Sequence, residues 1–194
     1  NMAQSALDHF RDFVDNNPHH PRIEQAYFGL ARCLDLTGDT SAYEVYGQYL
    51  KLFPYGPHVQ AVRLNLGVSL YNAGLWSDAR AALAEYVTKH PSSPDTPTAC
   101  FYAGLALLKL DRPDEAITEL QKAAASATGM LRAEASYSAA AAYFRARRYD
   151  EAVEALSVVT RTFPNTPVAA KAEGLLGDIF FKRGDFAEAR RHYA

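Results

Sequence analysis

Long apolar runs are missing from this chain. No uninterrupted hydrophobic stretch in its 194 residues approaches the about 20 that a membrane-spanning helix needs. Cysteine is scarce as well: Cys33 and Cys100 are the two present, in helical segments of different repeat units, so no disulfide geometry is expected. Each sits among apolar neighbours, as a small buried hydrophobe does, and cysteine usage leaves the compartment open. Neither sign of charge is in excess. Twenty Lys and Arg face twenty-two Asp and Glu, a formal net charge of −2, which gives no global attraction to nucleic acid or to an anionic membrane. Motifs that carry chemistry are missing too. There is no Gly-rich phosphate loop, nucleophile elbow, H-E-x-x-H, paired C-x-x-C, or Cys–His group with an orienting acid. His19, His20, His58 and His90 are scattered over turns without ligand spacing and read as residues of the solvent edge. The expectation is a non-enzyme with no catalytic residue, no cofactor and no metal. No secretory signal pattern is visible. Asn1 ahead of Met2 fits an expression remnant, and helical patterns cut at both ends suggest a piece of a longer protein.

What is present is a ladder. Five times a small residue precedes a helix stop by twelve positions: Ala6–Pro18, Ala42–Pro54, Ala79–Pro91, Ala116–Thr128 and Ala152–Pro164. Gly67, Gly104 and Ala140 stand twelve earlier again in three of them, and Gly177–Ala189 restarts the series. The stops recur every 36 to 37 residues, which is the signature of stacked supersecondary units. In the clearest unit, Val62, Leu66, Leu70 and Ala73 form one apolar stripe, with Gly67 where a partner helix comes close. Gly74 breaks that helix, suited to a left-handed cap. Trp76 opens a second helix, with Ala79, Leu83 and Tyr86 facing the core and Ser77 and Asp78 in its first turn.

The turns between units share a P-x-x-P form: Pro18–Pro21, Pro54–Pro57, Pro91–Pro94 and Pro164–Pro167. The first proline stops a helix, because the residue before it is disfavoured in the helical region. The second is expected at the first position of the next helix, with Gly56, Ser93 and Thr166 as N-caps. Turn chemistry accounts for these prolines without invoking a polyproline ligand. Two irregularities stand out. Ala31 to Ala42 is eleven residues instead of twelve, and Thr128-Gly129-Met130 lacks both prolines, so that Gly129 is expected to break the helix there.

The fold expected is all-α: a right-handed α-solenoid of stacked antiparallel helical hairpins with about eleven helices and no strand. The units are placed at 1–20 (the second helix of a truncated repeat), 22–56, 58–93, 95–129 and 130–166 (full repeats) and 168–194 (truncated), forming a single solenoid.

Leu66-Gly67, Leu70-Tyr71, Gly74, Trp76, Ala79, Leu83, Tyr86 and Pro91 together resemble the tetratricopeptide repeat (TPR). Gly177, Phe180, Gly184, Phe186 and Ala189 echo the pattern, as do Ala140, Tyr143, Tyr149, Ala152 and Leu156. The F-P-x-x-P and H-P-x-x-P turns resemble those of bacterial envelope TPR proteins, the Tol-Pal-associated cell-division coordinators and outer-membrane-assembly lipoproteins. That resemblance implies a periplasmic or cell-envelope location. The lipoprotein cysteine and the coiled coil that such proteins often carry are not in the sequence, and cytoplasmic TPR proteins share the turn, so a cytoplasmic location stays open.

The resemblance also implies that the first helix of each hairpin lines a concave groove. The stripe so placed holds Phe28, Arg32 and Asp35; Leu64, Val68, Tyr71 and Asn72; Phe101, Leu105, Leu108 and Lys109; Tyr137, Ala141, Phe144 and Arg145; and Asp178, Phe181 and Lys182. Aromatic and arginine residues are the types enriched in binding hot spots. A protein or peptide segment held by apolar anchors is the implied partner, with Phe101, Tyr137, Phe144 and Phe181 as its seat and Arg145 and Lys109 setting register. Leu64, Val68 and Leu105 also fit plain packing between first helices. Where a carboxylate clamp of the chaperone type would need lysine and asparagine, the chain has Phe28, Leu64, Phe101, Tyr137, Arg32, Val68 and Leu105, so that mode is not expected. The Arg145, Arg147 and Arg148 cluster, Lys182-Arg183 and Arg190-Arg191 are expected to pair with Asp150, Glu151, Asp185 and Glu188. Self-association through the terminal repeats is the alternative function. Nucleic-acid binding and direct membrane insertion are not expected.

Overall fold

The computed structural model describes residues 2–194, with side chains from Gln4 onward; Asn1 lies outside the described residues. Those residues form eleven helices: α1 (Met2–Asn16), α2 (Ile23–Thr37), α3 (Ala42–Leu52), α4 (Val59–Asn72), α5 (Trp76–Lys89), α6 (Thr96–Lys109), α7 (Pro113–Ser126), α8 (Gly129–Arg145), α9 (Tyr149–Thr162), α10 (Pro167–Arg183) and α11 (Phe186–Tyr193). Helices adjacent in sequence pack in pairs, and α8 also touches α6 and α10. The contacts divide the chain into two compact units, one with α1–α5 and one with α6–α11.

Each unit has its own core. In the first, Leu7, Leu30, Leu34, Tyr46, Tyr49 and Val62 are buried together. In the second, Leu107, Ile117 and Leu120 form one cluster, and Leu156, Val159, Val168, Leu176 and Ile179 another. Each such side chain contributes about 1.5–3 kcal/mol on burial. The twelve-step ladder marks these faces. Ala79, Ala116 and Ala152 are fully buried and Ala189 nearly so, because small residues let the backbones of a hairpin approach. The glycines are tighter still. A Cβ added at Gly67 would lie 2.6 Å from Leu83 Cγ, and one at Gly104 would lie 2.5 Å from Leu120 Cγ.

The proline turns differ from the expected arrangement at three of four sites. Pro18, Pro54 and Pro91 each follow a residue whose carbonyl accepts from the N–H three residues on (His20 N to Asn17 O, Gly56 N to Phe53 O, Ser93 N to His90 O). Pro21 and Pro57 repeat the pattern in the next turn, through Ile23 N to His20 O and Val59 N to Gly56 O. P-x-x-P there is two consecutive turns with proline at the second position of each, where its fixed φ is pre-set. The helices begin two residues later than the second proline, at Ile23, Val59 and Thr96. Gly56 and Ser93 are therefore not N-caps. Ser93 instead bonds Tyr86 Oη (3.0 Å) and Gln60 Nε2 (3.0 Å). At the fourth site Asn165 takes φ 61°, the chain turns differently, and the expected cap forms. There Pro167 opens α10 and Thr166 Oγ1 accepts from Ala169 N at 3.1 Å.

The break after α7 also differs. It falls on Ala127 and Thr128, both extended, and Gly129 (φ 57°) opens α8 instead of ending α7. At the short hairpin, Asp39 Oδ1 accepts from Ser41 N and Ser41 Oγ, which turns the chain into the brief α3.

Candidate functional site

In the first unit, residues of α2, α3 and α4 surround an open recess of about 360 Å3, lined by Phe28, Arg32, Asp35, Leu36, Tyr46, Ala61 and Asn65. Its wall is aromatic. Phe28 stacks on His58 with centroids 4.3 Å apart, and the Arg32 guanidinium lies 5.8 Å from the Phe28 centroid. Its floor is polar and internally satisfied. The fully buried Tyr46 donates its hydroxyl to Asp35 Oδ2 at 2.7 Å, with buried Ser69 on the Asp35 side and Asn65 on the Tyr46 side as polar neighbours. Burial raises the Asp35 carboxyl above the usual carboxylate range, against the lowering effect of the Tyr46 and Ser69 hydrogen bonds. Burial first, and then the Asp35 hydrogen bond, push the Tyr46 phenol up. At the lip, Leu36 is 72% exposed. Nearby, Tyr49 donates to Glu24 and ties α3 to the start of α2.

In the second unit α8 carries two rings, each with a cation from α10 above it. Lys171 Nζ lies 5.9 Å from the Tyr137 centroid and also pairs with Glu134, and Lys182 Nζ lies 5.7 Å from the Phe144 centroid. Each such contact contributes about 0.5–1 kcal/mol at an exposed site. Arg145 donates to Leu108 O at 2.6 Å and to Asp111 Oδ1 at 3.0 Å, closing the end of α6.

The structure brings Phe28, Arg32 and Asp35 into one site with residues outside the expected stripe: Leu36, Ala61 and Asn65. The face of α4 turned to the recess is displaced by one residue from that stripe. Leu64 is a correction: it is buried and serves packing. Val68 and Tyr71 are half-buried and Asn72 is exposed. Phe101, Leu105 and Leu108 are half-buried against the Leu107–Leu120 cluster, and Tyr137 and Phe144 are half-buried against the Leu156–Ile179 cluster. Phe181 is 59% exposed, edge-on to Phe186; Lys109 and Lys182 are exposed. Arg145 is exposed and engaged within the molecule by Asp111 and the Leu108 carbonyl. Asp178 accepts from Tyr193 Oη. The basic clusters pair in part as expected, Arg148 with Glu151, Arg183 with Asp150 and Arg191 with Glu188, whereas Asp185 caps α11. Not foreseen were Asn65 and Ser69. Their trace in the sequence is two polar residues one helical turn apart inside the apolar run of α4.

The tetratricopeptide repeat profile matches residues 40–94, 64–130, 101–167 and 137–194 in overlapping segments. No curated protein matches the chain. Among solved structures, MamA is 24% identical with a TM-score of 0.71, covering 84% of this chain and 90% of its own. MamA from Desulfovibrio magneticus RS-1 is 18% identical with a TM-score of 0.74, over 88% and 90%. YrrB, a TPR protein with an unusual peptide-binding site, is 18% identical with a TM-score of 0.68, over 96% and 90%. These likenesses show the fold. The profile covers well over half of the chain, and the chain belongs to the tetratricopeptide repeat family.

Proposed function

We propose that this chain is a non-enzymatic protein-interaction scaffold that holds a peptide or helix by apolar anchors against the faces of its first helices, within a bacterial cell-envelope complex. The observation that carries the proposal is the α2–α4 recess. At about 360 Å3 it lies in the range of ligand sites, and exposed Leu36 and the Phe28 wall stand over a floor whose polar groups already have partners. The buried Tyr46–Asp35 pair beneath it is already bonded internally, so an apolar anchor entering it does not leave that pair unsatisfied. Phe28, Arg32, Val68 and Asn72 in the first unit and Phe181 and Lys182 in the second are the contacts assigned. YrrB, whose fold this chain shares, supports the peptide reading. The F-P-x-x-P turns support the envelope location.

The test is capture of partners from envelope and soluble fractions of the source cell, followed by titration of the captured segment against Leu36→Asp. Leu36 is exposed, so the substitution leaves the core alone. Losing one anchor worth about 1.5–3 kcal/mol weakens binding tenfold or more, with circular dichroism unchanged. Equal affinity of the variant and the parent would sink the recess assignment. Partners drawn solely from the cytosol would sink the envelope location.

A further inference from the structure

The turn inside each complete hairpin contains one residue at positive φ: Gly38 (74°), Gly74 (79°), Asp111 (56°), Arg147 (61°) and Gly184 (82°). The turn is the same each time. The N–H of that residue bonds the carbonyl three positions back, and the next N–H bonds the carbonyl five back, as in Arg147 N to Phe144 O and Arg148 N to Tyr143 O. Glycine adopts this conformation freely, whereas any other residue costs about 1–2 kcal/mol, with Asp and Asn the better tolerated. Asp111 has a compensating task inside the molecule, since its carboxylate holds Arg145 at 3.0 Å. Arg147 has none. Its side chain is exposed, with no hydrogen bond or ion pair among the described residues.

The charges around that turn sharpen the contrast. Asp111 is taken by Arg145, Asp114 and Glu151 by Arg148, and Asp150 by Arg183. Lys182 rests on the Phe144 face and has no anion among the described residues. Two exposed cations without counter-charges therefore belong to one end of the α8–α10 layer: Arg147, whose backbone N–H bonds the Phe144 carbonyl, and Lys182, whose ammonium lies over the Phe144 ring. Phe181 beside Lys182 is exposed.

We infer that Arg147 and Lys182 read an acidic side chain on the bound segment, an Asp or Glu next to an apolar residue that lies on Phe181. This rests on the scaffold reading above and adds the chemistry of the partner at the second unit. Arginine at a strained position in place of glycine trades stability for an exposed guanidinium, as strained backbone at functional sites does.

The experiment selects binders to the parent protein from a displayed library of random twelve-residue peptides, then measures Kd for a recovered peptide and for its Glu→Gln or Asp→Asn copy. Arg147→Gly, Lys182→Gln and the parent are compared at low and moderate salt. The expected result is enrichment of acid beside apolar residues. Arg147→Gly should raise Tm by about 2–8 °C as the strain is released, yet bind the acidic peptide at least tenfold more weakly. It should lose little against the amide copy, and Lys182→Gln should show the same selectivity. Recovered peptides that bind Arg147→Gly and the parent alike would overturn this inference and leave the scaffold standing. A library that yields no binder would overturn the scaffold reading and this inference with it. Arg147-dependent binding to phosphatidylglycerol vesicles, with no acid preference among peptides, would also overturn it in favour of a lipid surface.

Discussion

Gly104→Ala is the sharpest probe of the hairpin contact. In an ordinary helix interior the change stabilises by about 1 kcal/mol, since alanine is the better helix former. At Gly104 the added methyl would stand 2.5 Å from Leu120 Cγ, 2.8 Å from its Cδ2 and 3.3 Å from its backbone nitrogen. Unstrained carbon contacts lie near 3.5–4.0 Å, so relief needs about 1 Å of movement. Leu120 is fully buried, so its side chain cannot move into solvent, and its backbone nitrogen also stands close to the added methyl. Overpacking of this kind costs about 1–3 kcal/mol and cancels or outweighs the propensity gain. Gly174 in α10 has no atom within 4 Å of an added Cβ and provides the control, where alanine should stabilise by about 0.5–1 kcal/mol. Urea unfolding should therefore rank Gly104→Ala below Gly174→Ala by about 1–3 kcal/mol, roughly 2–12 °C in Tm. Placing Gly104→Ala in a Leu120→Ala background should abolish its penalty, a coupling that a double-mutant cycle reads directly. If both glycine variants stabilise equally, the close approach is not the reason glycine stands at Gly104.

Two further outcomes follow from side-chain environments. Burial pushes the Cys100 thiol up to about 11, and Cys33 is buried, so neither should react with iodoacetamide at pH 8 until the chain is unfolded, when both should; mass spectrometry counts the adducts. The hydrogen bond from Lys89, aided by the charges of Lys89 and Arg63, holds the Glu85 carboxyl below its ordinary value. A lowered folded-state pKa gives a contribution that is present above about pH 4.5 and lost as pH falls through the folded value. Because the groups are largely exposed, Glu85→Gln should cost about 0.2–1 kcal/mol at pH 7, and the cost should shrink in urea titrations as pH falls through the folded value.

The helix count and core faces were legible because small residues recur with the period of the fold. Ala79, Ala116 and Ala152 are buried for the reason that made them recognisable: only a small side chain suits a face that another helix backbone covers. The proline turns were half legible. Proline sets φ and removes a donor wherever it stands, so Pro21 and Pro57 fit a second turn as well as a helix start, and the choice lies with Ile23 and Val59 bonding back to His20 and Gly56. Of the residues lining the recess, Phe28 and Arg32 were legible in the stripe and Asn65 was not, because a stripe carried from repeat to repeat is accurate to about one residue, and one residue rotates a helix face by about 100°. Pairings such as Tyr49 with Glu24 and Arg145 with Asp111 join residues far apart in sequence, which no spacing within a single helix encodes.

Because each helix leans chiefly on its neighbours in sequence, most of the structure within either unit is built from contacts that close short loops. Short loops cost little entropy to close, which favours rapid assembly without a distant partner strand or helix to wait for. The same locality limits how far damage travels. A cavity cut beneath α9 should loosen α8 to α10 and leave the amide protection of α2 to α4 intact, so that hydrogen exchange would report a patchwork of opening energies in place of one global value. Partial unravelling is then an ordinary excursion of such a chain, and a partner laid across several hairpins would suppress it by binding.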